Sequence, residues 1–375
     1  MRRTPGSRLR SKLRRMTLVT PRAVDSCGGY DRLKRPAAVG MTERPAAAGT
    51  IAVAIALAIA GCGGGNSQHA SQAPRSVPAA RPAQPTPPRP QAAPLRARVV
   101  ARLPAPVQLP AAARLADGRV LVMGGLSAAD ASVATIEAVA GRGASVVGHL
   151  PQPVHDAAAA SFGTRAFLFG GGTGESGTDA IRSVDGAGAA GLAGKLPAGA
   201  SDVAAAKIGS TAYVVGGYTG SRPLRSIVAF RPGSPARVVA QLPFPLRYAA
   251  VAAAGGSLVI AGGTSGTTPK RDVLVFDPAS NSVRPIGQLA QSLTHAAAAS
   301  LGGAVYVIGG RTTLAGGQTD AIQAVDPTSG KIVPAGRLPS AASDAAAVTD
   351  GNRILVIGGR GSGGSVSDQV VALTP

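Results

Sequence analysis

The residues able to do chemistry in this chain are few, and their types narrow what that chemistry is. Cysteine occurs only at Cys27 and Cys62, so residues 96–375 can form no disulfide and no thiolate metal site. His155 and His295 offer imidazoles for acid–base work or metal ligation. Glu137 and Glu175 are the only glutamates after residue 95. Arg247, Arg311 and Arg360 have no local turn role, and their guanidiniums suit acidic or hydroxyl-rich groups. Asp156, Asp202 and Asp344 each stand just before an apolar run, where a short acceptor is expected to hydrogen-bond the preceding turn. There is no nucleotide loop, metal triad or nucleophile elbow, so no cofactor and no metal is expected.

What must position these side chains is a repeat. Gly-Gly pairs close apolar runs at Gly124, Gly170, Gly216, Gly262, Gly309 and Gly358, at spacings of 46, 46, 46, 47 and 49. A second marker keeps step with them, from Leu103-Pro104 and Leu150-Pro151 to Leu289-Ala290 and Leu338-Pro339. A period of this length indicates a propeller or a solenoid. Within the copies the apolar pieces are four to eight residues long and bounded by turn residues, as in Val305 to Ile308 and Ala321 to Val325. That excludes a helical solenoid and gives four antiparallel strands per copy. Alanine runs such as Ala157–Ala160 and Ala345–Ala347 suit the narrow centre of a ring of blades. The sixth copy ends after its third strand, read as Val366–Leu373, while Arg98 to Arg102 precede the first Leu-Pro. The N-terminal strand is therefore expected to complete the last blade and remove two open edges.

The order of strand, Gly-Gly, and strand with Asp277-Pro278 or Asp326-Pro327 resembles the Kelch motif over about residues 96–375. With no tryptophan, the divergent bacterial branch is the better match. The fold expected is all-β: a six-bladed Kelch-type β-propeller. In that family partners bind one mouth of the channel, built by residues just after Gly-Gly and residues entering the innermost strand. Carried over by position, the first group is Leu126, Gly172, Tyr218, Thr264, Arg311 and Arg360. The second is Gln108, His155/Asp156, Ser201/Asp202, Arg247/Tyr248, Thr294/His295 and Ser343/Asp344. The binding candidates are Arg247, Tyr248, Arg311, Arg360, Tyr218, His155, His295, Asp156, Asp202 and Asp344. His155 and His295 fall on opposite blades, so shared ligation is not expected. Copper chemistry of the galactose oxidase kind needs a Tyr–Cys cross-link, and sialidase Asp boxes need tryptophan; both are missing. A protein- or carbohydrate-binding module is the first reading. A sugar mutarotase of the sialate epimerase kind, using a mouth histidine with an arginine, is the alternative, and a structural envelope component is the third.

The stretch before the repeats reads as an export signal and a tether. Residues 41–61 hold a charged start and an apolar run from Ala46 to Ala60, too short for a span of roughly 20 residues. Ile59-Ala60-Gly61-Cys62 resembles the lipobox of bacterial lipoproteins, which implies lipidation at Cys62 and anchoring on the extracytoplasmic side of a membrane. Residues 1–40 form a basic extension, expected to be disordered or to precede a true start at Met41. Residues 62–95 are a Pro/Ala-rich linker, reaching on the order of 100 Å in polyproline II geometry. The formal charge of +20 divides as +9 over residues 1–40, +3 over 41–95 and +8 over 96–375. Within the repeats the basic residues are scattered singly, so nucleic acid is not an expected partner. A monomer is expected.

Overall fold

A Gly-Gly pair at the end of each second strand lets successive sheets clasp one another. The computed structural model describes residues 94–375 other than Glu175. The extension, signal, lipobox with Cys62 and most of the linker lie outside the described residues. Each pair has positive φ at both glycines, for example 65° and 106° at Gly358 and Gly359. The second glycine donates its N–H across to the next blade, Gly125 to Val154 O at 2.8 Å and Gly310 to Ala342 O at 2.8 Å. A Cβ on the first glycine would sit on that same carbonyl, so only glycine permits the approach.

Six four-stranded antiparallel sheets result, each running outward from the axis. The innermost strands, from Ala111–Arg114 in blade 1 to Ala346–Asp350 in blade 6, neighbour one another in a closed ring. The second strands are apolar at successive positions because alternate residues serve two seams. Val305 and Val307 pack toward blade 4, while Tyr306 and Ile308 pack toward blade 6. Six clusters of this kind fill the six seams.

The last blade is completed by the N-terminal strand, Arg96–Arg102, pairing antiparallel with Gln369–Thr374 from Arg96↔Thr374 to Arg102↔Gln369. The final strand thus begins three residues later than the sequence reading placed it, because Val366 bridges back to Arg360 instead. Leu95 adds a clasp beyond the expected pairing. It bridges in parallel to Gly336 of blade 5, donates to Ala335 O at 2.7 Å and is buried in the seam between blades 5 and 6. Gly359 donates to Val107 O at 2.8 Å, so the closing seam repeats the clasp of the other five.

Candidate functional site

The two groups of variable positions meet in pairs at one end of the channel. Each residue entering an innermost strand bridges to the residue after its own blade's Gly-Gly: Gln108 to Leu126, His155 to Gly172, Ser201 to Tyr218, Arg247 to Thr264, Thr294 to Arg311 and Ser343 to Arg360. The chain then turns inward through one left-handed residue per blade. These are Leu109, Asp156, Asp202, Tyr248, His295 and Asp344, with φ between 53° and 60°. Backbone hydrogen bonds run from one to the next, Leu109 N–H to Asp344 O at 2.7 Å, His295 N–H to Tyr248 O at 3.2 Å and Asp344 N–H to His295 O at 3.0 Å. Their side chains line a cavity of about 110 Å³ on the axis, floored by Pro110, Ala157, Val203, Ala249, Ala296 and Ala345.

Charge in this cup is arranged in buried pairs. Arg247 Nε lies 2.6 Å from Asp202 Oδ2 but off the hydrogen-bond direction, so the contact is an ion pair without an aligned bond. The same guanidinium stacks over Tyr218 at 4.2 Å and donates to Tyr248 Oη at 2.9 Å. Arg311 donates to Asp344 Oδ2 and to Ser343 Oγ, at 3.1 and 3.2 Å from its Nε. Ser343 Oγ also donates to Asp344 Oδ2. Tyr248 and His295 stack with ring centres 3.6 Å apart. Arg360 stands farther out, bonded to Asp130 at 3.1 Å and to Gln108 at 3.3 Å. His155 Nδ1 bonds Ser132 Oγ at 2.8 Å.

Burial shifts the protonation of these groups. It raises Asp156 well above the usual carboxylate range, and the carboxylates of Asp202 and Asp344 push the same way. It raises Asp202 too, against the pull of Arg247. His295 is driven down to about 2 by burial and by the charges of Arg311 and Arg247, so its imidazole is neutral. Burial also lowers His155 and raises the Tyr248 phenol.

All ten residues singled out from the sequence lie at this end of the channel. Asp156, Asp202, Tyr248, His295 and Asp344 enter the cup, and Arg247 and Arg311 back it. Tyr218, Arg360 and His155 stand outside it. The turn role expected of the three aspartates is corrected: among the described residues none accepts a hydrogen bond from a backbone N–H. Instead Asp202 and Asp344 hold arginines, and Asp156 holds nothing. Sequence reasoning missed Leu109 and Asp130. Leu109 was findable, since it stands six residues past Leu103, as Asp156 does past Leu150 and Asp344 past Leu338. Among the described residues no group of His, Cys, Asp or Glu is arranged to hold a metal ion. The opposite end is a well of about 240 Å³, rimmed by Arg114, Ser161, Lys207, Ser300 and Thr349.

This ring of clasped blades carries a recognisable sequence motif. Residues 245–289 match the Kelch motif family model. They run from the start of blade 4 to its outer strand, and so include Arg247 and Tyr248. The solved structure of YjhT is similar to this six-bladed propeller at 15% identity and a TM-score of 0.63. The likeness covers 73% of this chain and 99% of that one, and it shows the fold alone. No curated protein matches the chain.

Proposed function

We propose that the chain is an exported, lipid-anchored binding module of the cell envelope, and that its mouth of Asp, His, Tyr and Arg takes a polar group of a protein or carbohydrate ligand. The observation that carries this is the axial cup. Six equivalent backbone positions hold Leu, Asp, Asp, Tyr, His and Asp on a scaffold that is otherwise near-uniform. Departure from six-fold symmetry is what an asymmetric ligand requires. The mouth arginines act as counter-ions to Asp202, Asp344 and Asp130, so the ligand-facing chemistry is that of the carboxyls and the Tyr–His stack. This favours hydroxyl or cationic donors over acidic groups.

Two measurements test the reading. Metabolic labelling with radioactive fatty acid is expected to mark the full chain and to fail with Cys62→Ser; labelling of that variant refutes the anchor. Capture of envelope glycans and proteins by the full chain is expected to fall at least tenfold in Tyr248→Ala. Capture undiminished in that variant refutes the mouth, and catalysed anomer exchange of a bound sugar would replace the module with an enzyme.

A further inference from the structure

The cup is one cation short. Asp156, Asp202 and Asp344 bring three carboxyls to the axis, while Arg247 and Arg311 supply two guanidiniums, each spent on one aspartate. Asp156 is left over. Its side chain is 7% exposed, it makes no side-chain hydrogen bond among the described residues, and the nearest basic atom is His155 Nε2 at 4.0 Å. Two other buried polar atoms also make no hydrogen bond: Asp344 Oδ1, which lies 4.0 Å from His295 Nε2, and His295 Nδ1. A carboxyl removed from water must take up a proton or a cation. Across the ring from blade 2, blades 4 and 5 present the stacked pair of Tyr248 and His295, which bounds the cup as a wall; the Tyr248 ring already carries the Arg247 guanidinium at 4.5 Å. A metal is the wrong cation, because these carboxyls do not converge as a ligand set.

We infer that the cup is a binding site for a primary ammonium group, which enters along the axis and donates to Asp156, with the Tyr248–His295 pair as the facing wall. This rests on the reading of the mouth as the binding face and names the chemistry it selects. An ammonium is compact and brings three donors to a site whose unused groups are acceptors. The groups facing Asp156 are His155 on its own blade, Asp202 on blade 3, Arg247 and Tyr248 on blade 4, His295 and Arg311 on blade 5, and Asp344 on blade 6. Blade 1 faces it with Leu109 and Gln108, which do not titrate. Burial and the two neighbouring carboxylates favour the protonated form of Asp156, so the ammonium competes with a proton there. Each binding event then releases one proton, and affinity rises about tenfold per pH unit for as long as free Asp156 is protonated.

The test is an NMR titration of the full chain with n-butylammonium and with 1-butanol, its uncharged counterpart, from pH 5 to pH 8. Shifts at ring residues with the amine, absent with the alcohol and strengthening with pH, are expected. Asp156→Asn is expected to weaken the amine at least tenfold at pH 8 and to flatten the pH dependence. Asparagine tolerates the left-handed backbone of this position, and an unchanged melting temperature separates lost binding from lost folding. Nα-acetyl-lysine methylamide and glucosamine, compared in the same way, tell whether the amine is better presented on a peptide or on a sugar; tighter binding of either supports the site. Equal response to amine and alcohol, a flat pH profile in the wild type, or wild-type affinity in Asp156→Asn overturns the assignment. If the amine fails while Tyr248→Ala still abolishes ligand capture, the ammonium site is wrong and the binding face stands.

Discussion

Glu137 gives the stability of the propeller a pH dependence that one substitution should remove. It sits in the third strand of blade 1, 5% exposed, opposite Val122, whose side chain fills the seam with blade 6. The same place in blade 5 holds Gln323, whose Oε1 accepts from Ala290 N–H at 2.9 Å. The residue corresponding to Ala290 before blade 1 is Pro104, which has no N–H to give, and Glu137 Oε2 is left without a partner. Burial raises its carboxyl from 4.5 to about 7. At roughly 1.4 kcal/mol per pH unit, that is a penalty of up to about 3 kcal/mol, and about 2 kcal/mol after solvent screening. Below pH 4.5 native and unfolded chains are both protonated at this site, and no penalty exists. As pH rises to 7 the unfolded chain releases the proton while the native one keeps it, so stability falls, and above 7 the loss is complete. Glu137→Gln is neutral throughout. It is expected to match the wild type at pH 4.5 and to exceed it by about 2 kcal/mol at pH 8. Urea unfolding at the two pH values checks this, because the other carboxyls cancel in the difference. A difference that does not change with pH, or a variant weaker at pH 8, refutes the reasoning.

Other perturbations separate the closure, the clasps and the mouth. Leu95→Ala is expected to cost about 2–4 kcal/mol in urea unfolding, as a core truncation in the closing seam, although it lies outside the paired strand. Gly358→Ala should cost more than the roughly 1–2 kcal/mol of left-handed backbone alone, since its Cβ would meet Val107 O. Gly351→Ala, at a φ of 61° with open space around it, is the control and should stay within that range in the same assay. Arg247→Ala orphans a carboxyl whose side chain is 3% exposed and should cost about 3 kcal/mol at pH 8. Burial raises the Asp202 carboxyl, so the loss should shrink as pH falls from 8 to 5 and protonation relieves the charge; an equal loss at both pH values would mean the guanidinium acts through packing.

Much of the architecture was legible because the blade is a short-range object. The Gly-Gly pair, the turn and the apolar strand lie within about fifty residues, and six copies in step expose them. Even the continuous apolar second strand declares itself, because each of its faces meets a different blade. The mouth was legible only as positions. That Arg311 answers Asp344, 33 residues away on the next blade, depends on how adjacent blades abut, and no spacing within one repeat encodes it. The same holds for Arg360 and Asp130, which meet across the closing seam. Leu95 escaped for a related reason: its partner, Gly336, belongs to blade 5 and not to the blade its strand completes.

The left-handed ring decides whether the mouth aspartates are there for the backbone or for a ligand. A φ near +55° favours Asp, Asn and His over most side chains, so the backbone alone could account for Asp156, Asp202, His295 and Asp344. Leu109 and Tyr248 hold the same φ without that chemistry, and the turn forms around them equally well. Aspartate is therefore permitted at these positions but not demanded. A turn role would also leave each carboxyl bonded to backbone N–H groups near in sequence, and none is. Burying three acidic side chains on one axis costs stability, and Arg247 and Arg311 recover only part of it. The excess of carboxyl over guanidinium at Asp156 is thus the feature least explained by folding, and the one on which a ligand has most to gain.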